Sequence, residues 1–288
     1  MQFARGARGA LVQQIQQALD IGADGVFGKD TAAAVAAAQA RHALPATGAV
    51  DEATWAAVVG EPFPTLFERC LALTAAFEGH GYGKAAGNFD GAGITWGIIG
   101  FNLKSGSLGK VLSLIPAADV DTALGALAPV LREVLVRPQA DRVRWGDSLS
   151  TGEQKRLQPA WYDALARLGD LPSARTAQRA VAAESYWTPS QTRMSSLAPF
   201  LTTPRASALF FDAHVQQGGV KESAAQAAQA AWKQAGSEPA ALLAMADTQA
   251  LSTSARWRED VRSRRRCVAT GTGTVHGRAY ALTAWGLA

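Results

Sequence analysis

Apolar positions in the first sixty residues recur at helical spacing. Leu11, Ile15, Ala18 and Leu19 fall at i, i+4, i+7 and i+8, which predicts a short amphipathic helix with one apolar stripe. Asp24-Gly25-Val26-Phe27-Gly28 interrupts that period with turn chemistry, since glycine tolerates positive φ. Asp30 or Thr31 then offers a cap for a second helix through residues 31–42, which Leu44-Pro45 stops. After Thr47-Gly48 the chain turns, and Val50-Asp51 opens a third helix carrying Trp55, Val58 and Val59. Glu61-Pro62-Phe63-Pro64 is a short stiff connector. Residues 1–60 therefore read as a three-helix domain, and residues 65–288 as a second, larger and mainly α domain.

Beyond the connector, Leu66, Cys70, Leu73 and Phe77 form a buried stripe on a helix that begins near Thr65 and ends at Gly79 or Gly81. Glu78 falls in its last turn. The partial negative charge of a helix C-terminus and the apolar face beside Phe77 both disfavour an ionised carboxylate there. A stabilising sequence would carry Lys or Arg at that place, whereas a carboxyl that resists ionisation suits a general acid. Residues 88–101, NFDGAGITWGIIGF, then break the helical pattern. Asp90-Gly91-Ala92-Gly93 reads as a turn, and the β-branched and aromatic run after it as a hairpin strand. Asp90 lies twelve positions after Glu78 and can face it across a cleft. Two carboxylates flanking one bond are the minimum apparatus for glycoside hydrolysis, with Asp90 as general base and Thr95 helping to hold the attacking water. Tyr82 and Trp96 neighbour the pair and are expected to stack on sugar rings. His80 and Asn88 share that neighbourhood and are expected to hydrogen-bond substrate or the acid.

Composition narrows the function classes. The chain has 288 residues, 48% hydrophobic and 18% charged, with a net charge of +4, which excludes wholesale disorder and a histone-like protein. No run of about 18 uncharged apolar residues offers a membrane span. The opening residues lack the apolar stretch of a signal peptide, so export is expected to depend on another agent. His42, His80, His214 and His276 are scattered without metal-site spacing, and no metal or cofactor is expected. Cys70 and Cys267 match no metal or redox spacing and read as two buried reduced thiols, with a disulfide as the alternative. Residues 1–60 carry four basic and five acidic groups, and residues 61–288 twenty-four against nineteen, so the positive charge belongs to the larger domain. Its sharpest cluster is Arg256, Arg258, Arg262, Arg264, Arg265 and Arg266. Without a recognised nucleic-acid module it reads as solvated helix faces, some arginines folding inward onto acidic partners, and no nucleic-acid partner is expected. Trp145, Trp161, Tyr162, Tyr186, Trp187 and Trp232 read mostly as core. The glycine-rich turn at 271–277 lacks the P-loop ending, and its His276 is expected to orient a loop rather than to catalyse.

Two resemblances draw these features together. Leu11, Ile15, Leu19, DGVFG at 24–28, Thr31, Ala34-Val35, Gln39, LPATG at 44–48 and Asp51 through Trp55 resemble the peptidoglycan-binding domain of cell-wall hydrolases. That resemblance implies a module that holds the wall and catalyses nothing. Glu78 in ALTAAFEG, followed by Asp90-Gly91, Gly93, Thr95 and Gly97-Ile98-Ile99-Gly100-Phe101, resembles the catalytic region of the family-46 chitosanases. The stretch Ala208–His214 is similar to that family's long central helix. The resemblance implies a lysozyme-like α+β domain with a small antiparallel sheet, Glu78 as acid, Asp90 as base and Thr95 as the water-orienting residue. It also implies inversion, with the carboxylates about 6.5–9.5 Å apart. The interval between the carboxylates is shorter than in the chitosanases, and Ala92 stands where an arginine is expected. The aspartate that meets the substrate's ammonium soon after Gly-Phe is replaced by SGSLG at 105–109. A buried ammonium without a counter-charge is costly, so a neutral N-acetylated glycan fits better than chitosan.

The combined pattern resembles a modular phage endolysin. It implies a monomer that cleaves the MurNAc–GlcNAc β-1,4 bond of peptidoglycan, with an anionic outer-membrane surface as a further partner. The protein would be made in the cytoplasm without a signal peptide. It would act in the periplasm or wall after release through a phage-made hole or, alternatively, a bacterial secretion system. A lytic transglycosylase, a chitosanase and a non-catalytic wall-binding protein are the alternatives.

Overall fold

In a computed structural model of the chain, residues 2–79 and 81–287 are described. Helices α1 (Ala10–Ala18), α2 (Lys29–Arg41), α3 (Glu52–Val58) and α4 (Leu66–Glu78) come first. Strands β1 (Ala85–Ala86), β2 (Thr95–Trp96) and β3 (Phe101–Asn102) form a small antiparallel sheet in that order. Helices α5 (Ser107–Ser113), α6 (Ala117–Leu124), α7 (Leu127–Leu135) and α8 (Gln139–Ser148) follow. Next come the ribbon of β4 (Ser150–Thr151) and β5 (Arg156–Leu157), then α9 (Pro159–Asp170) and α10 (Pro172–Ala182). The chain continues through α11 (Thr188–Leu197), α12 (Pro204–Gln217), α13 (Glu222–Ala235), α14 (Glu238–Leu251) and α15 (Arg258–Thr270) to the hairpin β6 (Thr272–Val275) and β7 (Arg278–Ala281). The protein is mainly helical with small antiparallel sheets, as its sequence predicts. Among the described residues, no helix is long and apolar enough to cross a membrane.

Two compact units result, one made of Met1–Phe77 with Tyr186–Ala288, the other of Glu78–Ser185. In the first unit, Phe3 bridges both Val50 and Trp285, so the N-terminal helices share a core with the end of the chain. Phe3, Trp55 and Phe63 close that core with ring centroids 5.7–5.9 Å apart.

Two buried glutamines organise α1–α3. Gln16 donates to Asp24 Oδ1, Val26 O and Thr31 Oγ1, and accepts from Gly25 N–H. Gln39 repeats the arrangement, donating to Thr47 Oγ1, Ala49 O and Thr54 Oγ1 and accepting from Gly48 N–H. Gly25 and Gly48 both have φ near +70°, which glycine adopts without strain. The module is thus a twofold repeat in which one buried amide satisfies the backbone of each turn.

Farther along the same unit, Asp212 on α12 is buried with Arg264 and Arg265 of α15. Arg264 Nη2 lies 2.6 Å from Asp212 Oδ1, and Arg265 pairs with the other carboxylate oxygen. Burial alone pushes this carboxyl up, but the two guanidiniums, with a hydrogen bond from Thr74, outweigh it and hold Asp212 below the usual carboxylate range. Two of the clustered arginines therefore fold inward, whereas Arg262 and Arg266 pair with Asp247 near the surface. Cys70 and Cys267 are free and buried, and burial pushes both thiols up, Cys267 to about 12.

Candidate active site

Helix α4 begins with a capping box. Thr65 N–H donates to Glu68 Oε2 at 2.9 Å, and Glu68 N–H to Thr65 Oγ1 at 3.3 Å. Cys70, Leu73 and Phe77 are buried, as the spacing predicts, but so are Arg69, Leu71, Ala72, Thr74 and Ala75, while Leu66 is half-buried, so α4 is enclosed on nearly every side rather than along one stripe. Glu78 is its last residue and is half-buried. His80 lies outside the described residues.

Asp90 occupies the turn between β1 and β2, where Ala85 pairs with Trp96 and Ala86 with Thr95. Its side chain is exposed, and its Oδ1 accepts from Ala92 N–H at 3.0 Å. The turn closes on itself because Gly93, at φ +81°, packs against Gly146 of α8. A side chain on Gly146 would meet Ile94 N at 2.8 Å and Gly93 Cα at 2.9 Å, so the helix and turn approach as only glycines permit. Thr95 opens β2 and is buried, and among the described residues its Oγ finds no hydrogen-bond partner.

Asn88 holds this turn from inside. Its Nδ2 donates to Asp147 Oδ1 at 2.9 Å, its Oδ1 accepts from Gly93 N–H at 2.8 Å, and its N–H donates to Ser150 Oγ at 2.8 Å. The Asn88 amide, followed by Lys155 at 3.0 Å, keeps Asp147 below the usual carboxylate range. Asn88 is therefore an anchor of the turn, and its side-chain polar atoms are already engaged. Trp96 departs from its expected role in a similar way. It is fully buried and donates Nε1–H to Leu165 O at 2.9 Å, which leaves no ring face for a sugar. Tyr82 is half-buried under Arg175, 5.8 Å from guanidinium carbon to ring centre.

Several residues here escape a reading of the sequence. Gln178 on α10 is buried and clamps two segments, donating to Tyr82 O at 2.9 Å and accepting from Ile98 N–H at 2.8 Å. A cavity of about 350 Å³ opens beside β1, lined in part by Ala85, Phe89, Lys155, Tyr162 and Asp163. Phe89 is 60% exposed and Tyr162 42%, so two aromatic side chains reach solvent at this cavity, Phe89 being the residue before Asp90. Phe89 carried a signal: a large apolar residue in a polar turn has no core to join. Among the described residues, no group of three His, Cys, Asp or Glu side chains gathers as a metal site would require.

The arrangement offers an exposed carboxylate in a rigid turn, a buried hydroxyl on the adjoining strand, and a second carboxyl at a helix end. The family model of glycosyl hydrolase family 46 matches residues 74–266, and that of a putative peptidoglycan binding domain matches residues 8–58. A mutant chitosanase from Bacillus subtilis MY002 complexed with 6 GlcN is 22% identical, with a TM-score of 0.49 over 74% of this chain and 94% of that one. A GH46 chitosanase from Gynuella sunshinyii in complex with chitotetraose is 16% identical, with a TM-score of 0.50 over 76% of this chain and 98% of that one. The latter likeness is one of fold. No curated protein matches the chain.

Proposed function

The chain belongs to glycosyl hydrolase family 46, with a peptidoglycan-binding domain ahead of it, and from that premise we propose that it hydrolyses the glycan strand of peptidoglycan. Glu78 donates its proton to the leaving glycosidic oxygen. Asp90 takes a proton from water held by Thr95, and that water attacks the anomeric carbon from the opposite face through an oxocarbenium-like transition state. The sugar leaves with inverted configuration, and exchange with solvent restores the acid and the base. The buried Thr95 hydroxyl, without a partner among the described residues, supports its part, because such a group gains most from a water it can orient. Phe89 and Tyr162 supply stacking faces for neighbouring sugars.

The observation that carries the choice of substrate is the segment after β3. Between Phe101 and Ser113 it holds no acidic residue but two lysines, Lys104 and Lys110, and Asn102, Ser105 and Ser107 hydrogen-bond one another. Lys110 is paired with Glu184 at 3.0 Å, and the segment itself supplies no carboxylate to a substrate ammonium, a counter-charge that a neutral N-acetylated sugar does not need. Together with the wall-binding module this favours the MurNAc–GlcNAc bond, an endolysin-like role, and action in the cell wall. Residues 1–60 hold the wall and residues 65–288 cut it. The outer-membrane surface is a further partner for the net positive charge of 65–288.

Chitosan is the second reading, favoured by the family itself. Mass spectrometry of products from purified peptidoglycan and from chitosan, digested in parallel by wild type and Glu78→Gln, separates the readings. Reducing muramic ends lost in Glu78→Gln are expected. Anhydro ends would indicate a lytic transglycosylase, glucosamine oligomers alone a chitosanase, and binding without release a wall-binding protein.

A further inference from the structure

Helix α4 leaves its last carbonyls without intrahelical donors, as every helix does. Two of them find side-chain partners some two hundred positions away. Tyr280 on β7 donates its hydroxyl to Ala76 O at 2.9 Å, and His276 Nδ1 lies 3.0 Å from Phe77 O. These are the two carbonyls immediately before Glu78. The same hairpin grips the helix by packing, since the Tyr280 ring stands edge-on to Phe77 at 4.8 Å and stacks on Trp285 at 5.7 Å. His276 is held in turn by Asp260 of α15, whose other carboxylate oxygen accepts from Gln216 at 2.7 Å.

The turn itself shows that the histidine is out of place as a turn residue. Val275 pairs with Arg278, so His276 and Gly277 are the two central residues of a tight hairpin, with φ of +50° and +74°. Such turns favour Asn-Gly, and a histidine held in the left-handed region is strained. Strain retained at a residue that touches the last turn of α4 points to a task there.

We propose that the β6–β7 hairpin caps α4 and that His276 and Tyr280 are positioning residues for Glu78, an inference that rests on the reading of Glu78 as the acid. Helix ends fray, and a general acid must meet its oxygen to within about half an ångström. Tying Ala76 O and Phe77 O to the hairpin fixes the backbone that carries the Glu78 carboxyl.

His276→Asn tests this cleanly, because asparagine is the preferred residue for the turn yet too short to span Phe77 O and Asp260. Tyr280→Phe keeps the ring and removes the hydroxyl. Steady-state kinetics on whichever of purified peptidoglycan or chitosan the wild type digests, with thermal melting alongside, supply the readout. Each variant is expected to lower kcat about tenfold with KM within about twofold, as loss of one positioning contact does. His276→Gln, which keeps a donor of similar reach, is expected to recover most of that loss, and Thr274→Ala on the same hairpin to match wild type. Wild-type kcat in His276→Asn and Tyr280→Phe beside an inactive Glu78→Gln overturns the cap alone. Losses that follow a fall in Tm without a split between kcat and KM also overturn it, by leaving only a structural role. Full activity of Glu78→Gln overturns the acid assignment and the positioning role with it.

Discussion

Asn88 and Asp147 hold one another beneath the turn that carries Asp90, amide to carboxylate at 2.9 Å, while the other end of the same amide takes the Gly93 N–H at 2.8 Å. Asn88→Ala breaks both links and frees the turn. Losing two such bonds is worth about 1–2 kcal/mol of positioning, so kcat should fall about tenfold with the helical circular dichroism unchanged. Steady-state kinetics check this, and an undiminished kcat would mean that the glycine contact of Gly93 with Gly146 holds Asp90 by itself.

Thr95→Val separates catalysis from stability. The hydroxyl is buried without a partner among the described residues, so exchanging it for a methyl group should leave the urea midpoint equal or raise stability by about 0.5–1 kcal/mol. Activity should nevertheless drop about a hundredfold if the hydroxyl orients the nucleophilic water. A variant as active as wild type removes Thr95 from the mechanism.

Asp212 sets an acid limit on the fold. Its folded carboxyl titrates below its unfolded value, so its contribution is complete at neutral pH. It starts to fade below the ordinary carboxylate value of about 4 and is lost as pH drops through the lower folded value. Asp212→Asn removes the buried carboxylate that Arg264 and Arg265 share and should cost about 3–5 kcal/mol in urea denaturation at pH 7. The difference from wild type should shrink as pH falls below about 4. A difference that stays constant down to pH 2 would contradict the charge pairing.

Gln39→Ala strips four hydrogen bonds from the second turn of the N-terminal repeat and exposes buried backbone groups to no partner, at about 2–4 kcal/mol. Retention on insoluble peptidoglycan should weaken as the module loosens. Gln16→Ala should behave alike, because its amide does the same work one repeat earlier. Equal retention by both variants and wild type would place wall binding outside α1–α3.

Much of the fold was legible in the sequence because its causes are local. The i, i+4 stripe of Leu66, Cys70, Leu73 and Phe77 acts within one helix, and Asp90-Gly91-Ala92-Gly93 makes its turn with its own backbone. These patterns fixed Glu78 at a helix end, Asp90 in a turn and Thr95 at the start of a strand. They could not reveal what Trp96 or Asn88 face. An indole beside a turn looks the same whether it meets solvent or Leu165 O, and an amide the same whether it meets substrate or Asp147. Gln16 and Gln39 are both buried, and the periodicity of apolar positions gives no sign of it.

By itself, then, the sequence determined the helical character, the strand after Asp90, and the elements on which Glu78, Asp90 and Thr95 lie. Packing alone decided the rest: that Phe3 meets Trp285, that Arg264 and Arg265 close on Asp212, and that His276 and Tyr280 reach the carbonyls before Glu78. The physical reason is separation along the chain. Propensity, capping and turn chemistry act over a few residues and leave a periodic trace, whereas a contact between positions two hundred apart leaves none until burial forces one polar group to find another.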